Sequence, residues 1–214
     1  MSWHPTVVVV TRATRPGKAK TRLQPLLGAA GCAGLQHALI THTAATVASA
    51  APTSPHIAVD PPDAVAEIAD IAEAAASVFA QHGSDLGARM RAAPAHVAQI
   101  RPGPVVLIGG DVPHLRAGHI LDAARQVEDS VDVVFGPALD GGYYLIAFAR
   151  PTPEVFDIDP DLWGGPLVLE ADDARHLAAD DTVATAIRSI LNQQGTTTTT
   201  RLSEGPPAHV SGPA

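Results

Sequence analysis

The sequence predicts an α/β domain in which helices flank a mostly parallel central sheet. Strand-like and helix-like segments alternate along the chain, which is typical of this fold class. The chain has 214 residues, a length that one such domain commonly has. Its only cysteine, Cys32, excludes an internal disulfide, so the core has to come from packing alone.

Composition and charge exclude several classes of protein. The formal net charge is −8 and the chain has only two lysines, which argues against a nucleic-acid-binding surface. No stretch approaches the ~18 apolar residues of a membrane span. The N-terminus lacks the basic start and long apolar region of a signal peptide. We therefore expect a cytoplasmic protein with no membrane span, and the sequence does not predict its oligomeric state.

The alternation resolves into six strands, four helices and a weaker C-terminal pattern. The strands are predicted at 6–10, 56–59, 77–80, 105–108, 131–135 and 143–148. The helices are predicted at about 29–50, after 61, from 84 or 85 to 98, and at 117–127. Residues 151–163 are predicted to be irregular, and 167–177 and 182–191 to be helical. We expect the domain to cover 1–194 and the Thr/Pro/Gly-rich residues 195–214 to form a disordered tail.

One loop runs against the acidic background of the chain. We call Thr11–Leu23, which follows the first strand, the cationic loop. It holds both lysines and three arginines: Arg12, Arg15, Lys18, Lys20 and Arg22. A buried strand that leads into clustered cations and the start of a helix is a suitable seat for phosphate. The alternative is a solvated loop whose charge serves solubility.

Other strand ends carry carboxylates beside glycines. Asp111 follows an apolar strand and two glycines, which suits a site for Mg²⁺, although Gly-Asp is also ordinary turn chemistry. Asp140-Gly141-Gly142-Tyr143 lies between two predicted strands and has a hairpin turn as its alternative. Asp85 and Arg89 are four residues apart on one helix face, where a surface ion pair is the alternative.

Several other chemistries have little support. His114 and His119 lie near Asp111, but their five-residue separation does not place both on one helical face, so we do not favour a zinc site. Cys32 lacks an obvious activating partner, so nucleophilic catalysis is not expected. No Gly-x-Gly-x-x-Gly follows the first strand. The cationic loop also lacks the first glycine of a P-loop, and no Ser or Thr follows Lys18.

Four ordered motifs together resemble a known family. They lie at 16–23 (PGKAKTRL), 83–90 (GSDLGARM), 106–113 (VLIGGDVP) and 136–146 (GPALDGGYYLI). They resemble an uncharacterised bacterial family with the A-type glycosyltransferase (GT-A) fold, a domain of unknown function in the nucleotide-diphospho-sugar transferase superfamily. The Lys-x-Lys-Thr-Arg-Leu element at 18–23 is also similar to that of phospholactate guanylyltransferases. The resemblance covers roughly residues 5 to 150.

The resemblance implies a nucleotide or nucleotide-sugar site at the carboxyl edge of the sheet. Cationic-loop residues would bind phosphates, Asp111 would bind Mg²⁺ or Mn²⁺ and act in catalysis, and Asp140 would be the second catalytic carboxylate. Asp85 and Arg89 would close the pocket, and Gly141, Gly142 and Tyr143 would face the sugar or acceptor. The phosphate-binding set of the loop is Arg12, Lys18, Lys20, Thr21 and Arg22.

The resemblance also implies a transferase, with alternatives that the sequence leaves open. The first is a metal-dependent glycosyltransferase that uses a nucleotide sugar and an unknown hydroxyl acceptor. The second is a nucleotidyltransferase that joins an NTP to a phosphorylated substrate and releases pyrophosphate. The third is a non-catalytic nucleotide-binding homologue, because relatives usually carry a further strand and helix after the position of Trp163, where this chain is shorter.

Overall fold

A six-stranded sheet organises the chain. The computed structural model describes residues 5–50, 55–73, 75–129, 131–138 and 143–156. The strands are β1 (Thr6–Arg12), β2 (His56–Asp60), β3 (Ser77–Ala80), β4 (Val105–Gly109), β5 (Val133–Pro137) and β6 (Tyr143–Phe148). Their order in the sheet is β3-β2-β1-β4-β6-β5. β6 runs antiparallel to both of its neighbours, and the β1–β2, β1–β4 and β2–β3 pairs are parallel. The predicted α/β class with a mostly parallel sheet is confirmed.

Helices cover both faces of this sheet. The α-helices of the described residues are α1 (Gln24–Ala50), α2 (Val65–Ile71), α3 (Leu86–Ile100) and α4 (Ala117–Asp129). α1, α2 and α4 pack on one face, where Val7, Val9 and Ile108 are buried. α3 and the 3₁₀ turn Pro153–Phe156 pack on the other face, where Val8, Leu107 and Phe148 are buried. Adjacent residues of β1 and β4 therefore point into two different cores, as the continuous apolar runs of a buried parallel sheet require.

Two elements begin at a different residue from the one that the sequence predicts. α1 begins at Gln24 rather than near residue 29, with a kink at Gly28, whose φ is +65°. The positive φ of this glycine interrupts the helix. Apolar periodicity therefore predicts only the part of α1 after the kink and not the turn before it. β5 begins at Val133 rather than at Val131, because Val133 pairs with Phe148, the last residue of β6, and Val131 is 43% exposed. Pairing with β6 sets the start of this strand.

The topology brings four chain segments to one edge of the sheet. β1, β2 and β4 are parallel and end there, at Arg12, Asp60 and Gly109. The antiparallel β6 begins at the same edge with Tyr143. Ligands of open α/β sheets bind at the carboxyl ends of the strands, so this edge is where a site is expected.

Candidate functional site

An ion pair joins the cationic loop to the end of β4. The Nζ atom of Lys20 lies 2.7 Å from Oδ2 of Asp111, across 91 positions of sequence. The Lys20 side chain is 13% exposed and that of Asp111 is 54% exposed, so the carboxylate is the part that solvent and ligands can reach. Desolvation raises the pKa of Asp111, but the charge and hydrogen bond of Lys20 lower it more strongly, so its pKa lies below the ordinary value. Asp111 is therefore ionised at neutral pH.

The backbone at both ends of this pair has special geometry. Lys20 has φ +46° and ψ +42°, a left-handed conformation that non-glycine residues rarely adopt. Gly110 donates its N–H to Val10 O at 2.8 Å, and a Cβ atom there would lie 2.6 Å from Thr11 Oγ1. Only glycine fits this close approach of the β4 loop to β1. Strained residues persist where the surrounding structure holds them, and they are common at functional sites.

Two buried glutamines fix the end of β1. Gln36 of α1 donates to Thr11 Oγ1 at 2.9 Å and to Arg12 O at 3.3 Å. Gln81, just after β3, donates to Thr11 O at 2.8 Å and to Ala58 O at 3.0 Å. Both side chains thus donate to polar groups of Thr11, and each also donates to a further backbone carbonyl. The start of the cationic loop is thus held by one side chain from α1 and one from the residue after β3.

Helix α2 and the turn before it hold the next part of the loop. Glu67 accepts hydrogen bonds from Thr14 N at 2.7 Å and from Arg15 Nε at 3.0 Å. Arg15 Nη1 pairs with Asp63 Oδ2 at 2.8 Å. Desolvation raises the pKa of Glu67, but its hydrogen bonds with Thr14 and its pair with Arg15 together lower it below the ordinary value. Arg15 is therefore held by two carboxylates, Glu67 of α2 and Asp63 of the turn before it.

Replacing Glu67 with glutamine is expected to destabilise the fold by roughly 1 kcal/mol at neutral pH, a fall in Tm of about 2–4 °C. Because the folded-state pKa of Glu67 is lowered, its contribution is present above the ordinary value of 4.5 and is lost as the pH falls through the folded-state pKa. Thermal denaturation followed by circular dichroism from neutral pH to about pH 3 measures this. Glu73→Gln, at an exposed glutamate, is the control. A Tm difference that does not shrink in acid would contradict the assignment.

A second ion-pair cluster lies at the end of β2. Oδ2 of Asp60 is 3.4 Å from Nη2 of Arg12 and 3.0 Å from Nη1 of Arg89. The Arg89 Nε also donates to Gly83 O at 3.2 Å. Among the described ion pairs, Arg89 therefore pairs with Asp60 and not with Asp85. Asp60 is not among the site residues predicted from the sequence, although it follows an apolar run just as Asp111 does.

The remaining predicted residues divide into exposed loop positions and a helix cap. Lys18, Thr21 and Arg22 are exposed on the cationic loop. Asp85 is the N-cap of α3 and accepts from Ala88 N at 2.8 Å, which lowers its pKa. The predicted cap at this position is confirmed, so Asp85 has a structural role whatever else it binds.

Tyr143 is the first residue of β6, which pairs antiparallel with β5. Burial raises the pKa of Tyr143 to about 12, so its hydroxyl stays protonated at neutral pH. Its ring contacts that of Phe135 with centroids 5.7 Å apart. Asp140, Gly141 and Gly142 lie outside the described residues, as do 157–214 with the predicted C-terminal helices and tail.

The side chains at the carboxyl edge of the sheet suit Mg²⁺ better than Zn²⁺. Within the described ranges there is no group of three His, Cys, Asp or Glu side chains that could hold a metal ion. Asp111, His114 and His119 are therefore not such a group, and the ring of His119 contacts that of Tyr144 with centroids 5.8 Å apart. Mg²⁺ needs only one or two carboxylates when substrate phosphates complete its shell, and Asp111 fits that role.

Cys32 is fully buried, and burial raises the pKa of its thiol.

Comparison with known proteins identifies the family. Residues 43–164 match DUF2064, a family described as uncharacterized proteins conserved in bacteria. The chain belongs to this family. The family resemblance predicted from the four motifs is thus confirmed. A comparison with curated proteins finds no match.

Solved structures support the fold. A protein of Desulfovibrio desulfuricans G20, provisionally named a nucleotide-diphospho-sugar transferase, is 31% identical with a TM-score of 0.66; the match covers 75% of this chain and 70% of that one. The DUF2064 chain therefore shares its α/β fold with that protein.

Two further structures are more distant. A cytidylyltransferase from Leptospira borgpetersenii is 17% identical with a TM-score of 0.42, the match covering 72% of this chain and 63% of that one. A CMP:2-keto-3-deoxy-manno-octonic acid synthetase complexed with CTP is 14% identical with a TM-score of 0.40, covering 72% and 77%. Both are too distant to carry an argument.

Among the described residues, no helix is long and apolar enough to cross a membrane.

Proposed function

We propose that this DUF2064 protein is a glycosyltransferase that takes a nucleotide-sugar donor and a hydroxyl acceptor. The observation that carries the proposal is the Lys20–Asp111 pair of 2.7 Å at the carboxyl edge of the sheet. A cation and a carboxylate side by side provide one partner for a diphosphate and one for the metal that accompanies it. The provisional name of the Desulfovibrio desulfuricans protein supports the same substrate class.

The residues of the cationic loop would bind the diphosphate. Lys20 is already directed toward the edge by its pair, and Arg12 is 69% exposed at the end of β1. Lys18, Thr21 and Arg22 are exposed further along the loop, where they can approach the same phosphates. Arg89 and Asp85 would enclose the nucleotide from the start of α3. As the sugar–phosphate bond breaks, negative charge grows on the leaving diphosphate, and fixed cations stabilise it.

Asp111 would hold Mg²⁺ or Mn²⁺ through its accessible carboxylate. When bound, such an ion acts as a Lewis acid on the leaving diphosphate. Lys20 would then exchange Asp111 for a phosphate oxygen, so that both groups of the pair gain a ligand of opposite charge. The fit depends on one carboxylate together with the phosphates of the substrate.

The acceptor would bind on the β6 side of the edge. Tyr143 follows the hairpin connection and, with its pKa of about 12, can donate a hydrogen bond but cannot act as a base at neutral pH. We therefore keep Asp140 as the proposed general base, with Gly141 and Gly142 allowing close approach of the sugar or acceptor. The acceptor oxygen would attack the anomeric carbon, its proton would pass to Asp140, and a nucleoside diphosphate would leave.

A nucleotidyltransferase is the second candidate. The Lys-Ala-Lys-Thr-Arg-Leu element at 18–23, which resembles that of phospholactate guanylyltransferases, favours it. The same cations and carboxylate would then stabilise a leaving pyrophosphate. A non-catalytic nucleotide-binding protein is the third candidate.

Product analysis separates the three candidates. The full chain is incubated with Mg²⁺, a mixture of hydroxyl-bearing acceptors and UDP-, GDP-, CDP- or dTDP-sugars. A second set of reactions contains NTPs and a mixture of phosphorylated metabolites, and the products of both are resolved by ion-exchange chromatography. Release of a nucleoside diphosphate in amounts matching the glycosylated acceptor is the expected result. Release of pyrophosphate from an NTP would replace glycosyl transfer with nucleotidyl transfer. Binding without turnover of any donor would support the non-catalytic reading.

A further inference from the structure

Asp60 binds two arginines that come from different parts of the chain. It is the last residue of β2, directly opposite Arg12, the last residue of β1. Its Oδ2 atom lies 3.4 Å from Arg12 Nη2 and 3.0 Å from Arg89 Nη1, and its side chain is 15% exposed. Its backbone oxygen accepts from Ala13 N at 2.9 Å. One residue thus joins the end of β1, the cationic loop and α3.

The charge balance of this cluster leaves it positive. Two guanidinium groups and one carboxylate carry a net charge of +1. Each guanidinium has five N–H donors in a planar fork, and Arg12 is 69% exposed, so most of its donors face solvent. Asp60 contacts one nitrogen of each guanidinium, which restrains the direction of the remaining donors. The cluster is therefore an oriented pair of cations.

We propose that Asp60 is a positioning residue that aligns Arg12 and Arg89 on the phosphate groups of the nucleotide ligand. The inference rests on the proposed nucleotide site and adds a residue that acts only through the two arginines. Without Asp60 the two guanidinium groups repel each other, and each long side chain regains its rotamer freedom. The ligand would then have to order both arginines when it binds.

The direction in which Asp60→Asn changes the Kd for nucleotide distinguishes a positioning role from a purely electrostatic one. Asp60→Asn removes a negative charge from a site for an anion, so charge alone predicts tighter nucleotide binding. A positioning role predicts the opposite, a Kd that rises roughly 10-fold, because two side chains lose their preferred orientation. The two explanations therefore differ in direction.

Calorimetric titration of the full chain tests this, with Mg²⁺ and whichever of the four sugar nucleotides binds wild type. Asp60→Asn is compared with Arg12→Gln/Arg89→Gln and with the triple variant. Asp122→Asn, which removes a carboxylate paired with Arg125 on α4, is the matched control. We expect Asp60→Asn to weaken binding roughly 10-fold, with no further loss when it is added to the double arginine variant.

Three results overturn the inference: binding that tightens or stays unchanged in Asp60→Asn, an equal loss in the double-arginine background, or an equal loss in Asp122→Asn. Thermal melting of each variant shows whether it is folded at the titration temperature. If Asp60→Asn is unfolded, Asp60→Glu keeps the charge but displaces it by one methylene, and an unchanged Kd there would overturn the inference. Failure of wild type to bind any nucleotide would instead reject the proposed function.

Discussion

Replacing Asp111 with asparagine is expected to lower turnover by about 100-fold or more. The variant keeps the shape of the side chain but loses the charge that would hold the metal beside the leaving diphosphate. Asp111 is ionised at neutral pH, because Lys20 keeps its pKa below the ordinary value. The measurement is the rate of nucleoside diphosphate release at saturating nucleotide sugar and Mg²⁺. Turnover like that of wild type would remove Asp111 from the mechanism.

The same variant should behave differently when metal is removed. In wild type, Lys20 is paired with Asp111 at 2.7 Å, so a metal-free nucleotide has to compete with the carboxylate for this lysine. Asp111→Asn releases Lys20, and nucleotide binding in EDTA is expected to be at least as tight as that of wild type. Added Mg²⁺ should improve binding in wild type much more than in the variant. Weaker metal-free binding in Asp111→Asn would contradict this competition.

Replacing Lys20 with glutamine is expected to weaken nucleotide binding roughly 10- to 100-fold, the usual effect of losing a hydrogen bond to a charged group. The Lys20 side chain is 13% exposed, and its left-handed backbone directs it toward Asp111. Another cation of the loop is therefore not expected to replace it. Titration calorimetry with Mg²⁺ and the bound nucleotide sugar gives the change in Kd.

Two variants control this experiment. Lys20→Arg keeps the charge on the same backbone and should recover part of the affinity, which separates charge from the strain of the left-handed conformation. Lys18→Gln removes the other lysine, which is exposed, and should cost no more than about 3-fold because exposed charges are screened by solvent. Equal losses for Lys18→Gln and Lys20→Gln would show that the loop acts only through its overall charge.

The order of elements and the proximity of the cationic loop to the end of β4 followed from the sequence. β1 and β4 are runs of β-branched and aliphatic residues, buried on both faces, that end abruptly in the cationic loop and in Gly109-Gly110-Asp111. Strand ends of a parallel sheet share an edge, so the proximity of these loops was predictable before any distance was known. The 2.7 Å pair between Lys20 and Asp111 is the specific outcome of that rule.

What the sequence did not reveal depends on pairing between distant strands. Asp60 follows an apolar strand as Asp111 does, but its importance comes from lying opposite Arg12 and beside Arg89. Gln36 and Gln81 occur in unremarkable contexts, and only the sheet edge shows that both bind Thr11. The assignment of Arg15 to Glu67 and Asp63 likewise depends on how α2 packs against the loop. Side-chain partners of this kind are set by tertiary structure and leave no local pattern.

The central claim is that the carboxyl edge of the sheet binds a nucleotide. Thermal melting of the wild-type chain with sugar nucleotides and NTPs is the most direct test of this claim. UDP-, GDP-, CDP- and dTDP-sugars and the NTPs are added singly, with Mg²⁺ or with EDTA. A ligand at a hundred times its Kd stabilises the fold by about 2.7 kcal/mol, which corresponds to a rise in Tm of roughly 5–10 °C for a chain of this size. We expect such a rise for at least one nucleotide with Mg²⁺ and a smaller one in EDTA. No rise with any nucleotide would contradict the account.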